Sequence, residues 1–224
     1  MRTLSLPLAL TARISPVVVL AAAGWVLTSG PAATPAPQKE SAPQSADQPS
    51  SDGGSSAAAA TTKRYSAAPA PCGSIGAATI KSLVPGAKTA GKEIPSTDPS
   101  LRRTCSWNAL KGYDYRWLDV SFEITDSQAE AAKSYKENIT AKSGGGTVPG
   151  VGDAGYSVVN LTTEDKQQTR EGVVMIQASN ALVTVTYNGS DFESKKAPAT
   201  DEINKGAIKA AKEAVAALES GQKA

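Results

Sequence analysis

From residue 72 onward the apolar positions change period several times, and each change marks an element. The clearest run is residues 115–124, where Leu118, Val120, Phe122 and Ile124 alternate with Trp117, Asp119, Ser121 and Glu123. A period of two sends successive side chains to opposite faces, which predicts a half-buried strand. Residues 105–109 read as a shorter strand before it, and residues 154–160, 172–178 and 181–187 as three later ones. The last two are joined by Ser179-Asn180, a two-residue hairpin link that lacks the preferred glycine.

Helical spacing appears between these runs. Ser74 is expected to cap a short helix carrying Ile75, Ile80, Leu83 and Val84, stopped by Pro85-Gly86. Thr125-x-x-Gln128 matches a capping box ahead of Ala132, Tyr135 and Ile139, and Gly144-Gly-Gly146 ends that helix. A last helix starting near Asp201 aligns Ile208, Ala211, Val215 and Leu218 on one stripe before Gly221. Residues 86–104, punctuated by Pro95 and Pro99, read as loop. The order α-β-β-α-β-β-β-α predicts an α+β fold, an antiparallel sheet of about five strands covered by three helices. Residues 72–220 are long enough to bury a single core, and 221–224 form a tail.

The pattern before residue 72 is of another kind. Residues 1–30 carry only Arg2 and Arg13 as charges, and an apolar run covers residues 14–27. As a helix that run spans roughly 21 Å, short of the ~30 Å hydrocarbon core, which favours a cleaved signal peptide. The uncharged stretch continues to Gln38, so a signal anchor is the alternative. Residues 31–71 are rich in Ala, Pro and Ser and contain no Val, Ile, Leu, Met, Phe or Trp. Such a composition cannot offset its ordering entropy and predicts a disordered linker.

Composition then narrows the chemistry. The 224 residues include no histidine, which excludes Ser-His-Asp and Cys-His devices and every imidazole metal site. Lys+Arg exceed Asp+Glu by 23 to 21, and Arg2 and Arg13 account for the whole surplus. The rest of the chain is neutral, without the basic footprint of a nucleic-acid binder. The 2 cysteines, Cys72 and Cys105, are too few for a zinc or iron–sulfur site of their own. An even count in an exported chain predicts a structural disulfide instead.

Three motifs remain as candidate sites. Tyr113, Tyr115 and Trp117 alternate, so in a continuous strand they share the face opposite Leu118 and Phe122. Uncovered, they would form an aromatic row able to stack on sugar rings or grip a partner; beneath a helix they would be core. Gly150-Val-Gly-Asp-Ala-Gly155 fits G-x-G-x-x-G, but a helix precedes it and a strand follows, the reverse of the dinucleotide context. A tight turn accounts for these glycines better. Asp119 and Glu123 share a strand face, yet four residues separate them by roughly 13 Å, beyond the spacing of glycosidase carboxylates.

Cys72 opening the domain, Cys105-Ser-Trp107, the strand Arg116-Trp-Leu-Asp-Val-Ser121 and the run Val148-Pro-Gly-Val-Gly-Asp153-Ala carry a family likeness. Over roughly residues 70–220 the chain resembles an uncharacterised group of actinobacterial secreted proteins and lipoproteins, domain of unknown function 3558. The resemblance implies an extracytoplasmic α+β domain, often lipid-anchored, with no catalytic residues to carry over. Lipid-anchored relatives place a cysteine directly after the apolar run, where this chain has Gly30.

These observations predict an exported, non-enzymatic cell-envelope domain that binds an envelope protein, glycan or lipid. No catalytic, cofactor or metal residues are expected, nucleic acid is excluded as a partner, and membrane contact is confined to an uncleaved N-terminal segment. A membrane-anchored sensor or interaction domain of a signalling assembly is the alternative. A hydrolase whose carboxylates are brought together by the fold is a further one.

Overall fold

The computed structural model describes residues 63–221. The expected export segment, most of the expected linker and the last three tail residues lie outside the described residues. The strands are β1 (Lys92–Ile94), β2 (Arg102–Lys111), β3 (Asp114–Ile124), β4 (Gly146–Thr147), β5 (Ala154–Glu164), β6 (Gln167–Ala178) and β7 (Ala181–Asp191). The helices are α1 (Ala77–Leu83), α2 (Gln128–Thr140) and α3 (Thr200–Ser220), with a 3₁₀ turn over Pro71–Gly73. The strands form one antiparallel sheet in the order β1-β2-β3-β7-β6-β5-β4.

The α+β class is as expected, but the sheet has seven strands rather than five. The two extra strands occupy its edges. β1 is exposed along its whole length and β4 is Gly-Thr, so neither carries an alternation that a sequence pattern reveals. The remaining strands are longer than predicted. β5 and β6 run on to a hairpin at Asp165-Lys166, both left-handed with φ of 49° and 67°, as a type I′ turn requires.

The principal core lies between one face of the sheet and α3. Leu118, Val120 and Phe122 of β3, Val174 and Ile176 of β6, and Val183 and Val185 of β7 meet Ile203, Ala207, Ala210, Ala211 and Ala214 of the helix. Alanines along the stripe let the helix backbone approach the sheet closely. α1 and the segment before it pack on the same side, contributing Tyr65, Ala68, Ile80 and Leu83. The folded packing therefore takes in residues that composition assigned to the linker. α2 lies on the opposite face, where Ala131 and Tyr135 cover Val158, Val173, Met175 and Leu182.

Two predicted caps move. Ser74 closes the 3₁₀ turn by donating from its hydroxyl to the Pro71 carbonyl at 2.6 Å, and does not cap α1. Glu213 of α3 serves instead, accepting from the Gly76 N–H (2.9 Å) and the Thr79 hydroxyl (2.6 Å). α2 is capped by Ser127, whose hydroxyl accepts from the Glu130 N–H at 3.2 Å, while Thr125 turns its own hydroxyl to the carbonyls of Ser127 and Asn180. The buried residue of the first turn is accordingly Ala131, not Ala132.

Cys72 and Cys105 form a disulfide closing a sequence separation of 33. Cys105 lies in β2 on the α3 side, where it and the buried Trp107 both press on Gly91. Gly91 has φ of +63°, and a Cβ there would sit 2.6 Å from both Cys105 Sγ and Trp107 Nε1. Glycine is the residue this packing admits.

Candidate functional site

α2 covers the β5-β6-β7 part of its face, and no other described element covers the β2-β3 part. That half carries the aromatic residues. Tyr113 lies in the turn between β2 and β3 rather than in a continuous strand, and is 58% exposed. Tyr115 is half-buried, with its ring centroid 6.0 Å from that of Phe192. Burial first, and then the Asp119 carboxylate, hold the Tyr115 hydroxyl above the usual tyrosine range, so it remains a protonated donor. Trp117 is 37% exposed, and its Nε1 donates to Ser106 Oγ (2.8 Å) and Asp119 Oδ1 (2.6 Å). These two bonds fix the plane of the indole, which stays partly exposed.

Two residues join the row that the sequence pattern did not single out. Leu110 is the cross-strand partner of Tyr115 and is strongly exposed. Phe192 follows β7, is also exposed, and its N–H donates to the Tyr113 carbonyl at 2.9 Å. Leu110 was legible only from the β2–β3 register, and Phe192 only from the sheet order that brings the end of β7 beside the β2–β3 turn. Together the five side chains make an uncovered apolar patch at one end of the sheet.

Along the same face the patch runs into a cleft of about 410 Å³ between the sheet and α2. Its floor is formed by Thr104, Asp119, Ser121, Glu123, Thr184 and Thr186, and its far wall includes Asn138 of α2 and Lys142 just beyond that helix. Arg102 and Glu171 complete the charges, three carboxylates against two cations. Hydroxyl groups outnumber charges on the floor, and Thr104 already donates to Ser121 across the strands at 2.9 Å. This chemistry suits a neutral ligand rich in hydroxyls better than an anion. Asp119 and Glu123, expected to be far apart, share the cleft as lining residues but sit at separate positions along β3.

The glycine run is a turn. Gly150 and Gly152 have φ of +72° and +61°, and β5 follows directly, without a helix to receive a pyrophosphate. A Cβ on Gly152 would lie 2.5 Å from the Gln177 carbonyl oxygen, so close packing against β6 requires that glycine. Among the described residues no group of three or more Cys, Asp or Glu is placed to hold a metal ion, and no helix is long and apolar enough to cross a membrane.

No protein-family model and no curated protein matches the chain. Among solved structures, a protein from Bacteroides thetaiotaomicron VPI-5482 is similar at 8% identity and a TM-score of 0.31, over 49% of each chain. The match spans about half the length of that protein.

Proposed function

We propose that this chain is an exported, non-enzymatic cell-envelope domain that binds a neutral glycan on the open face of its sheet. The observation that carries the reading is the continuity of the patch with the cleft. Tyr113, Tyr115, Trp117, Leu110 and Phe192 adjoin a floor of Ser and Thr hydroxyls flanked by carboxylates. A sugar offers an apolar C–H face to an aromatic ring and hydroxyls to polar side chains, and this surface supplies both partners side by side. Export is supported by the disulfide and by the charge and hydropathy pattern of residues 1–30. The resemblance to the actinobacterial family points the same way.

The test is calorimetric titration of the full chain with a panel of neutral hexose and pentose oligosaccharides. Trp117→Ala combined with Tyr113→Ala is expected to weaken binding at least roughly tenfold, a loss of about 1.4 kcal/mol, while unfolding stays cooperative. Neither residue belongs to the buried core clusters, so the fold survives the loss of the Trp117 bonds to Ser106 and Asp119. Unchanged affinity in the double variant would overturn the reading.

A hydrolase is the second reading, because Asp119, Glu123 and Glu171 line one cleft. Their positions count against it. Asp119 and Glu123 are roughly 13 Å apart along one strand, and a two-strand separation of about 10 Å lies between β3 and β6. Paired glycosidase carboxylates stand at about 5 to 9.5 Å. Release of reducing ends by the wild type and its loss in Glu171→Gln would favour the hydrolase.

A further inference from the structure

Among the described residues, one edge of the sheet is only half-paired. β2 runs from Arg102 to Lys111, but β1 pairs only with Thr104, Cys105 and Ser106. Along residues 107–111 the outer edge of β2 faces no strand among the described residues. A cleft of about 420 Å³ follows this edge. Ser106, Asn108 and Leu110 line it from one face of the strand, and Trp107 and Ala109 from the other. Side chains of both faces meet a single cleft only where the cleft lies along the backbone edge. Its opposite wall is the segment from Gly86 to Lys92, which brings two exposed cations, Lys88 and Lys92, and no acidic residue lines the cleft.

We propose that this edge is a peptide-binding site that receives an extended acidic segment of a partner protein as an added strand. An open edge presents unpaired N–H and C=O groups at the spacing a strand needs, and backbone pairing supplies affinity without demanding a sequence. Selectivity then comes from the wall. A segment of about five residues at ~3.3 Å each occupies the length of the free edge, and its carboxylates lie beside Lys88 and Lys92. A second copy of this chain is a poor occupant. Pairing two such edges about a twofold axis sets the lysine-bearing walls against each other. Edge lysines also discourage pairing with basic or neutral strands, so the same residues that admit an acidic segment exclude others. The cleft borders the proposed glycan surface along Ser106, Asn108 and Leu110, which lie on the same face as Tyr115 and Trp117, whereas the backbone edge and the Lys88 and Lys92 wall lie outside that surface.

The experiment is a titration of the ¹⁵N-labelled full chain with a short acetylated peptide alternating valine and glutamate, and with its valine–lysine counterpart. The acidic peptide is expected to shift the amides of residues 107–111, slow their hydrogen exchange, and bind at least roughly tenfold more tightly than the basic one. Lys88→Glu with Lys92→Glu is expected to invert that preference while leaving the melting temperature unchanged, since both side chains are exposed. Equal affinities for the two peptides would overturn the proposal. So would shifts confined to Tyr113, Tyr115 and Trp117, self-association through residues 107–111 that the acidic peptide does not compete away, or no shift at millimolar peptide.

Discussion

The side-chain amide of Asn180 grips both backbone groups of Tyr65. Its Oδ1 accepts from the Tyr65 N–H and its Nδ2 donates to the Tyr65 carbonyl, each at 2.8 Å. The same Nδ2 donates to the Thr125 carbonyl at 2.8 Å, and the Asn180 carbonyl accepts from the Thr125 N–H at 2.9 Å. One fully buried amide in the β6–β7 turn thus ties the segment before Cys72 and the entrance to α2 to the same point.

Removing that amide strands its partners. Asn180→Ala leaves one N–H and two carbonyls without their bonds in a buried site, an expected loss of about 2–4 kcal/mol. Denaturant unfolding measures the loss. Hydrogen exchange is expected to accelerate first at residues 63–71, and an unchanged exchange pattern there would contradict the role assigned to Asn180.

Tyr65 brings a contrasting case, because its hydroxyl is buried with no hydrogen-bond partner among the described residues. Burial also pushes its hydroxyl above the usual tyrosine range. Tyr65→Phe removes a desolvated group that gains nothing, so stability is expected to hold or rise by up to about 1 kcal/mol. Tyr65→Ala empties a core position and is expected to cost about 3–5 kcal/mol. A clear drop in the urea midpoint of the Phe variant would show that the hydroxyl has a partner.

High pH should unfold the domain through Tyr187. Burial is the main cause that pushes its hydroxyl from 10.0 up to about 12, and the hydroxyl donates to the Leu83 carbonyl at 2.8 Å. The unfolded chain releases this proton near pH 10 and the folded one only near 12. The folded state therefore binds more protons in that window, and stability falls as pH rises through it. The contribution is full below about pH 10 and its loss amounts to roughly 2–3 kcal/mol. Tyr65, Tyr115 and Tyr135 are raised as well and act in the same direction. Unfolding midpoints taken from pH 8 to 12 should fall less steeply in Tyr187→Phe, and an identical slope would remove Tyr187 as the cause.

Gly206 sets helix propensity against packing. In the interior of α3 an alanine would favour the helix by about 1 kcal/mol. Its Cβ, however, would stand 2.7 Å from Cε1 of the buried Tyr187 ring and 3.0 Å from Leu83 Cδ2. Neither is free to move, and overpacking of this kind costs about 1–3 kcal/mol. The clash is expected to prevail, so Gly206→Ala should lower the melting temperature; a rise would mean that the ring yields.

The Cys72–Cys105 bridge closes a separation of 33 residues, worth about 3–4 kcal/mol in the chain-entropy model. Cys72→Ser with Cys105→Ser is expected to lower the unfolding free energy by that amount, with a matching fall in the denaturation midpoint, and to make wild type and variant indistinguishable under strong reductant. A wild-type midpoint insensitive to reductant would count against it.

How far the pattern of residues reaches is visible element by element. β3 was legible because Leu118, Val120, Phe122 and Ile124 face the core while their neighbours do not. α3 was legible from its apolar stripe. The cap of α2 was misread by two residues because Thr125 and Ser127 both satisfy the motif, and only the contact with Asn180 decides between them. Tyr65 was hidden in linker-like composition, since what orders it is an amide far along the chain.

Local patterning was enough to place the residues of β3 on their two faces and to locate the helices approximately, and the even cysteine count predicted the bridge. The same patterning put Tyr115 and Trp117 on the face opposite Leu118 because side-chain direction follows local backbone geometry. Tertiary structure alone decided that this face stays uncovered. It did so by landing α2 on β5, β6 and β7, by bringing Phe192 beside Tyr113, and by leaving half of β2 without a partner strand among the described residues. Each of those outcomes depends on contacts between segments distant in sequence, and a local period carries no information about which segment arrives.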